Sequence, residues 1–313
     1  MKKPDLDYGT LFSRNLGVLT EAQQDRIRAA RVLILGDMGS GETLCTLLVR
    51  CGFERIALAG EGRYAPSDTN RQIGCFTDTI GRLKVEVMAE TARAVNPEAD
   101  VLVYTKLPTE GELGNRIGEA DIVISSVDDL AYAVLIFRTC RALNKPAVMC
   151  MPAGSMGWVS VFTPESVTIE QALGIPALDY PGLTTVMRSR EYRCAQYHYI
   201  TQGDWRVNWF FDYFSGKKPL ALICAAEWTL VSLMALETMK IASGKWKPVV
   251  APRCWQLRRG RLKVTRFSWF VRLHRKIGWA IFGSPSGLRR HRLTHYIWKK
   301  IFGYLKSRER NDL

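Results

Sequence analysis

Arg31-Val32-Leu33-Ile34-Leu35-Gly36-Asp37-Met38-Gly39-Ser40-Gly41 decides how the rest of this chain is read. A short β-favouring run ends in three glycines, and a helical pattern then continues to about Cys51. Strand, glycine turn and helix in that order present backbone N–H groups and a helix N-terminus to phosphate. Gly36, Gly39 and Gly41 are the cradle candidates, and Met38 stands where a G-x-G-x-x-G pattern has its middle glycine. The strand is apolar without alternation, as in parallel sheets covered on both faces.

Working outward, Thr20 as N-cap with Gln23 three residues on predicts a helix over 20–29. Downstream, strands at 55–59, 101–105, 121–125 and 147–151 alternate with helices over 80–95, 110–118 and 130–143, and a long loop spans 60–79. The alternation predicts right-handed βαβ units, hence an α/β, doubly wound, Rossmann-like and mostly parallel sheet. Residues 163–218, rich in Pro, Tyr and Trp with poor periodicity, read as a crossover or insertion. The apolar stretch 219–243 contains Glu227, Glu237 and Lys240. One charge at a bilayer centre costs about 2.5–3.5 kcal/mol, so this stretch reads as a buried helix closing the compact body.

Further clusters follow successive strands, on the side where such sheets bind ligands: Ser67-Asp68-Thr69-Asn70-Arg71-Gln72, Gly81 to Glu86 around Lys84, and Ser126-Val127-Asp128-Asp129. An arginine and a lysine can clamp a triphosphate, and a carboxylate can hold Mg²⁺. The glycine turn also suits NAD or FAD, which want an acid at the end of the second strand for the ribose. That stretch reads Gly60-Glu61-Gly62, leaving Glu61 as the candidate.

With Phe12-Ser13-Arg14-Asn15, this constellation resembles the ThiF/HesA/MoeB family, bacterial relatives of ubiquitin-activating enzymes. The resemblance runs from about Leu11 to Pro164 and again over 219–243. It implies a homodimer that uses ATP and Mg²⁺ to adenylate a carboxyl group on a small protein, a peptide or a modified nucleoside. It also implies that Arg71 and Lys84 contact the ATP phosphates, Asp128 binds Mg²⁺, and Arg14 reaches the partner protomer's nucleotide. Asn70 and Gln72 would line the pocket.

The departures from that family are Met38 at the centre of the glycine loop and a group after the second strand. The family's ribose-binding Asp falls on Gly60, a second acid on Gly62, and the Asn three before the arginine on Asp68. Glu61 or Asp68 would have to compensate. A degenerate, non-catalytic member that binds or scaffolds is therefore a second reading. Some members take up the acyl group on a cysteine. Cys194 is the thiol of the 165–200 stretch, and Arg190 and Arg193 beside it would lower its pKa. The alternative is a structural cysteine.

The eight cysteines include no C-x-x-C pair and read as buried reduced thiols of a cytoplasmic protein. Met1 to Asp5 does not open a signal peptide. The net charge of +14 is concentrated, with 17 Lys and Arg against two acids from Arg253 to Leu313. The chain thus reads as a nucleotide-binding domain over 1–250 and a basic amphipathic tail over 251–313. Stripes such as Phe270, Leu273, Ile277 and Ile281 flanked by cations suit an anionic membrane surface, met through 253–310 at the inner face. Packing on the main domain or a second protomer would use the same stripes, and nucleic acid ranks behind both.

Overall fold

β1 (Arg31–Leu35) sends Val32 and Ile34 into one hydrophobic core and Leu33 and Leu35 into another, the two-residue period of a strand buried on both faces. The structure, a computed structural model, describes residues 7–188, 204–214 and 216–267 and isolated positions from 273 to 307. Around β1 lie β2 (Arg55–Ala59), β3 (Asp100–Tyr104), β4 (Ile122–Ser125), β5 (Ala147–Ala153), β6 (Met156–Phe162), β7 (Arg253–Arg258) and β8 (Arg261–Arg266). They form one eight-stranded sheet in the order β3-β2-β1-β4-β5-β6-β7-β8. The first five strands run parallel, with Leu35 in register with both Ala59 and Ser125, and the last three are antiparallel. Strand order reverses between β1 and β4, and sheets of this kind bind ligands in the crevice beyond the C-terminal ends at such a point.

Four helices cover one face: α2 (Glu21–Ala29), α3 (Gly39–Arg50), α4 (Lys84–Val95) and α10 (Cys224–Ser243). Short α1 (Tyr8–Phe12) leads into α2, whose Thr20–Gln23 capping box is formed as its sequence predicts. The other face carries α5 (Glu110–Gly118), α6 (Leu130–Ala142), α7 (Ile169–Leu173) and α8 (Tyr180–Arg188). Over β2 and β3 this second face is open. Leu102 is 51% exposed there, beside a hollow of about 360 Å³ lined by Leu33, Ala57, Tyr104 and Arg116. Cover on both faces is therefore incomplete at this edge.

Several boundaries differ from the sequence reading for local reasons. α4 begins at Lys84 rather than near residue 80, because Gly81 takes φ +86 and cannot join a right-handed helix. α10 begins at Cys224, since Leu222 bridges Gly154 and Ile223 is the extended N-cap. Residues 163–218 hold α7, α8 and α9 (Val207–Phe214) rather than loops alone. β6 lies just past the last strand read from sequence.

The basic segment does not begin as a separate tail. β7 pairs with β6, and Cys254 and Leu257 are buried in the main core. Arg253, Arg259, Arg261, Lys263 and Arg266 lie exposed on this terminal hairpin. Cations on an edge strand discourage pairing with a foreign strand, which gives them a structural role. The amphipathic stripes beyond Phe267 lie largely outside the described residues. No helix among the described residues is long and apolar enough to cross a membrane.

Candidate functional site

Gly36 begins the turn after β1 with φ +101, and a Cβ there would stand 2.0 Å from the Ser126 carbonyl oxygen. Only glycine passes between β2 and β4 at this point. Its N–H bonds the Ala59 carbonyl at 2.8 Å, fastening the turn to the end of β2. Gly39 and Gly41 open α3; the Gly41 N–H already bonds the Met38 carbonyl at 2.9 Å, and the Gly39 and Ser40 N–H groups begin the helix without an acceptor in the preceding turn. The glycine turn thus lies where the sequence places it.

Arg71 and Lys84 approach this turn from one side, and Asp68 holds both. Its carboxylate meets Arg71 at 3.1 Å and the Lys84 Nζ at 3.4 Å, and all three side chains are largely buried. Arg71 also donates to the Ser67 carbonyl at 2.9 Å and to Asn70 Oδ1 at 3.0 Å, while Asn70 donates to the Leu222 carbonyl. Lys84 stands at the first position of α4, fixed by its N–H to the Gly62 carbonyl at 2.9 Å. Asp68 is therefore committed to the cations and to the Ala65 N–H, not free to serve a ribose.

Asp128 follows β4 at the mouth of the crevice, open to solvent on one side. The protein packed around it raises its carboxyl pKa by desolvation, while Lys84 and Arg71 pull the other way. Arg71 and Lys84 thus lie within electrostatic reach of Asp128, and Lys84 is tied through Gly62 to Asp37 of the glycine turn. Gln72 is buried with its Oε1 unpartnered among the described residues. Arg14 sits exposed on the 13–15 turn and is not brought to the others within the chain. Glu61 is exposed, and Cys194 lies outside the described residues. The cysteines at 45, 140, 150 and 254 are buried, which pushes their thiols up to about 12 and makes them inert.

Three carboxylates escaped the sequence reading. Glu42, in the first turn of α3, accepts from the Tyr64 hydroxyl and the Gly74 N–H. Burial raises its carboxyl, with those bonds and Lys84 opposing. Glu227 on α10 is fully buried against Gly39, and neither of its oxygens has a partner among the described residues. Burial raises its carboxyl to about 7, partly offset by Arg71. The contrast with Glu237 on the same helix is instructive. Equally buried, Glu237 accepts from Lys240, the Val249 N–H and the Trp255 indole at 2.6–2.7 Å. An unsatisfied buried carboxylate marks a site, and a satisfied one marks structure.

The third is Asp37, whose carboxylate covers Gly60 and Gly62 at the end of β2. Nothing in the sequence marked them, but in the fold each of these acids faces a glycine. Cβ atoms at Gly39, Gly60 and Gly74 would come within 2.9, 2.4 and 2.2 Å of Glu227, Asp37 and Glu42 respectively.

The head of α3 and two cations offer anion contacts, but five carboxylates (37, 42, 68, 128 and 227) surround them. A metal on Asp128 and a proton on Glu227 would reduce that excess.

Comparison with known proteins follows the same lines. A model of the ThiF family matches residues 12–272. A probable molybdopterin-synthase adenylyltransferase of Gracilaria tenuistipitata var. liui is 28% identical over 160 residues, 50% of this chain and 45% of the relative. This chain thus spans under half of that relative's length. Protein HesA of Nostoc sp. (strain PCC 7120) is 23% identical over 231 residues, 74% of this chain and 78% of the relative. The solved structure of E. coli MccB with AMPCPP and MccA matches at TM-score 0.61 and 18% identity, over 84% of this chain and 72% of that one. That likeness establishes the fold.

Proposed function

The chain belongs to the ThiF family, and from that premise we propose that it binds ATP with Mg²⁺ at the head of α3 and adenylates a carboxyl group, releasing pyrophosphate. The observation that carries the reading is the grouping of Arg71 and Lys84 within electrostatic reach of Asp128, with Lys84 tied through Gly62 to Asp37 of the glycine turn. Family membership favours a triphosphate over NAD or FAD.

In this reading Gly36, Gly39 and Gly41 let the backbone approach the phosphates, and Arg71 and Lys84 neutralise them while holding the α-phosphorus for in-line attack. Asp128 holds the Mg²⁺, which supplies further charge neutralisation. Gln72 and Asn70 bound the pocket, and Arg14 completes the site of the second protomer in a homodimer. The acceptor is the carboxylate of a small protein or peptide, in keeping with the adenylyltransferase named above and with the MccB–MccA complex. Cys194 is the residue to examine for acyl transfer.

Pyrophosphate exchange into ATP, stimulated by candidate acceptors, tests the reading. Activity that requires Mg²⁺ and falls at least a hundredfold in Asp128→Ala is the expected outcome. Exchange indifferent to Asp128 would remove it.

A second reading, a fold member retained as a binding scaffold, is favoured by one feature. Asp68 occupies both phosphate-clamping cations before any ligand arrives. Calorimetry separates the two, since a scaffold would show no Mg·ATP binding. At the other end of the sheet, the 253–310 segment is proposed to meet an anionic membrane surface.

A further inference from the structure

We infer that Asp37 has taken over the ribose contact that the end of β2 lacks, so that the glycine turn and not the second strand holds the sugar hydroxyls of the bound nucleotide. The inference rests on the ATP reading above. It begins from a mutual exclusion. A Cβ on Gly60 would stand 2.4 Å from Asp37 Oδ2, and one on Gly62 would stand 2.6 Å from Asp37 Oδ1. The carboxylate therefore occupies the space in which a side chain at position 60 or 62 would start. Asp37 and an acid at either position cannot coexist in this geometry, which explains why this chain has two glycines where the family it resembles has acids.

The carboxylate is also held in place. Gly36 donates to the Ala59 carbonyl, which brings residue 37 beside the strand end, and the Gly62 N–H bonds Asp37 Oδ2 at 2.6 Å. Oδ1 has no hydrogen-bond partner among the described residues and is free to accept a hydroxyl. The side chain is only half-buried, and Gly62, which donates to it, also accepts the Lys84 N–H, so Asp37 stands beside the start of α4. The other acids nearby are unsuited: Glu61 is exposed, and Asp68 is bound to Arg71 and Lys84.

Calorimetric titration of the full chain with Mg·ATP and with Mg·2′,3′-dideoxy-ATP provides the test, using Asp37→Ala, Gly60→Asp and the double variant Asp37→Gly/Gly60→Asp. The wild-type chain should prefer ATP by roughly tenfold or more, the range of hydrogen bonds to a charged acceptor. Asp37→Ala should bind both nucleotides alike, at the weaker affinity. Gly60→Asp alone should lose the preference or melt lower, because its side chain collides with Asp37. The double variant should regain it, an outcome that a purely structural role for Asp37 would not produce. A preference undiminished in Asp37→Ala, or absent in the wild type, would overturn the inference while leaving ATP binding intact. A wild-type chain that binds neither nucleotide would overturn both.

Discussion

The Trp228 indole donates to the backbone carbonyl of Arg71 at 2.8 Å, joining residues 157 apart in the chain. Asn70, the neighbouring residue, bonds the Leu222 carbonyl just before the same helix. The loop that carries Arg71, the proposed phosphate-binding arginine, is thus held from α10 and the residue pair just before it.

Trp228→Phe should therefore weaken Mg·ATP binding about fivefold, the worth of one net hydrogen bond near 1 kcal/mol, while Lys84 and Asp128 stay in place. Calorimetry beside a melting curve checks this. An unchanged affinity would mean that the Asp68 pair alone fixes Arg71.

Asp68→Asn should separate ligand binding from stability. Asn keeps the side-chain oxygen for the Ala65 N–H but releases Arg71 and Lys84, so the free protein should melt lower while triphosphate binding tightens roughly tenfold. The gain should shrink with added salt. Affinity that falls instead would show that Asp68 orients the cations more than it competes for them.

Glu227 makes stability depend on pH in a known direction. Its carboxyl is raised from 4.5 to about 7 in the folded chain, so the folded state keeps a proton that the unfolded chain has lost. Folding should lose stability as pH rises through that window and level off above it. Glu227→Gln should remove the loss, raising stability at pH 8 by up to about 3 kcal/mol with little change near pH 4. Denaturant melts at the two pH values measure it, and equal effects at both would refute the buried-acid account.

The basic segment can be tested without damaging the core. Phe267 packs edge-on against Trp158 with ring centroids 4.8 Å apart, and its N–H bonds the Pro252 carbonyl. A chain cut after Phe267 should keep its melting temperature and lose binding to anionic liposomes. A cut after Pro252 would strip β7 and β8 and expose β6, so it should melt lower. Liposome binding that survives the first cut would return those stripes to packing or nucleic-acid contact.

Residues 31–41 determined most of the fold on their own. An apolar strand, a glycine turn and a helix start are local features, each fixed by propensity and steric allowance within a few residues. Arg71, Lys84 and Asp128 were candidates for the same reason, since Arg71 and Lys84 follow β2 and Asp128 follows β4. Asp37 and Glu227 were not. Whether a carboxylate covers Gly60 or presses on Gly39 depends on how β2 and α10 lie against the turn after β1. The basic hairpin was misread in the same way, because its charge pattern is local while its pairing with β6 is not. Sequence determined which groups stand at the strand ends, and tertiary packing decided which of them share a space, are stripped of water or cancel one another's charge.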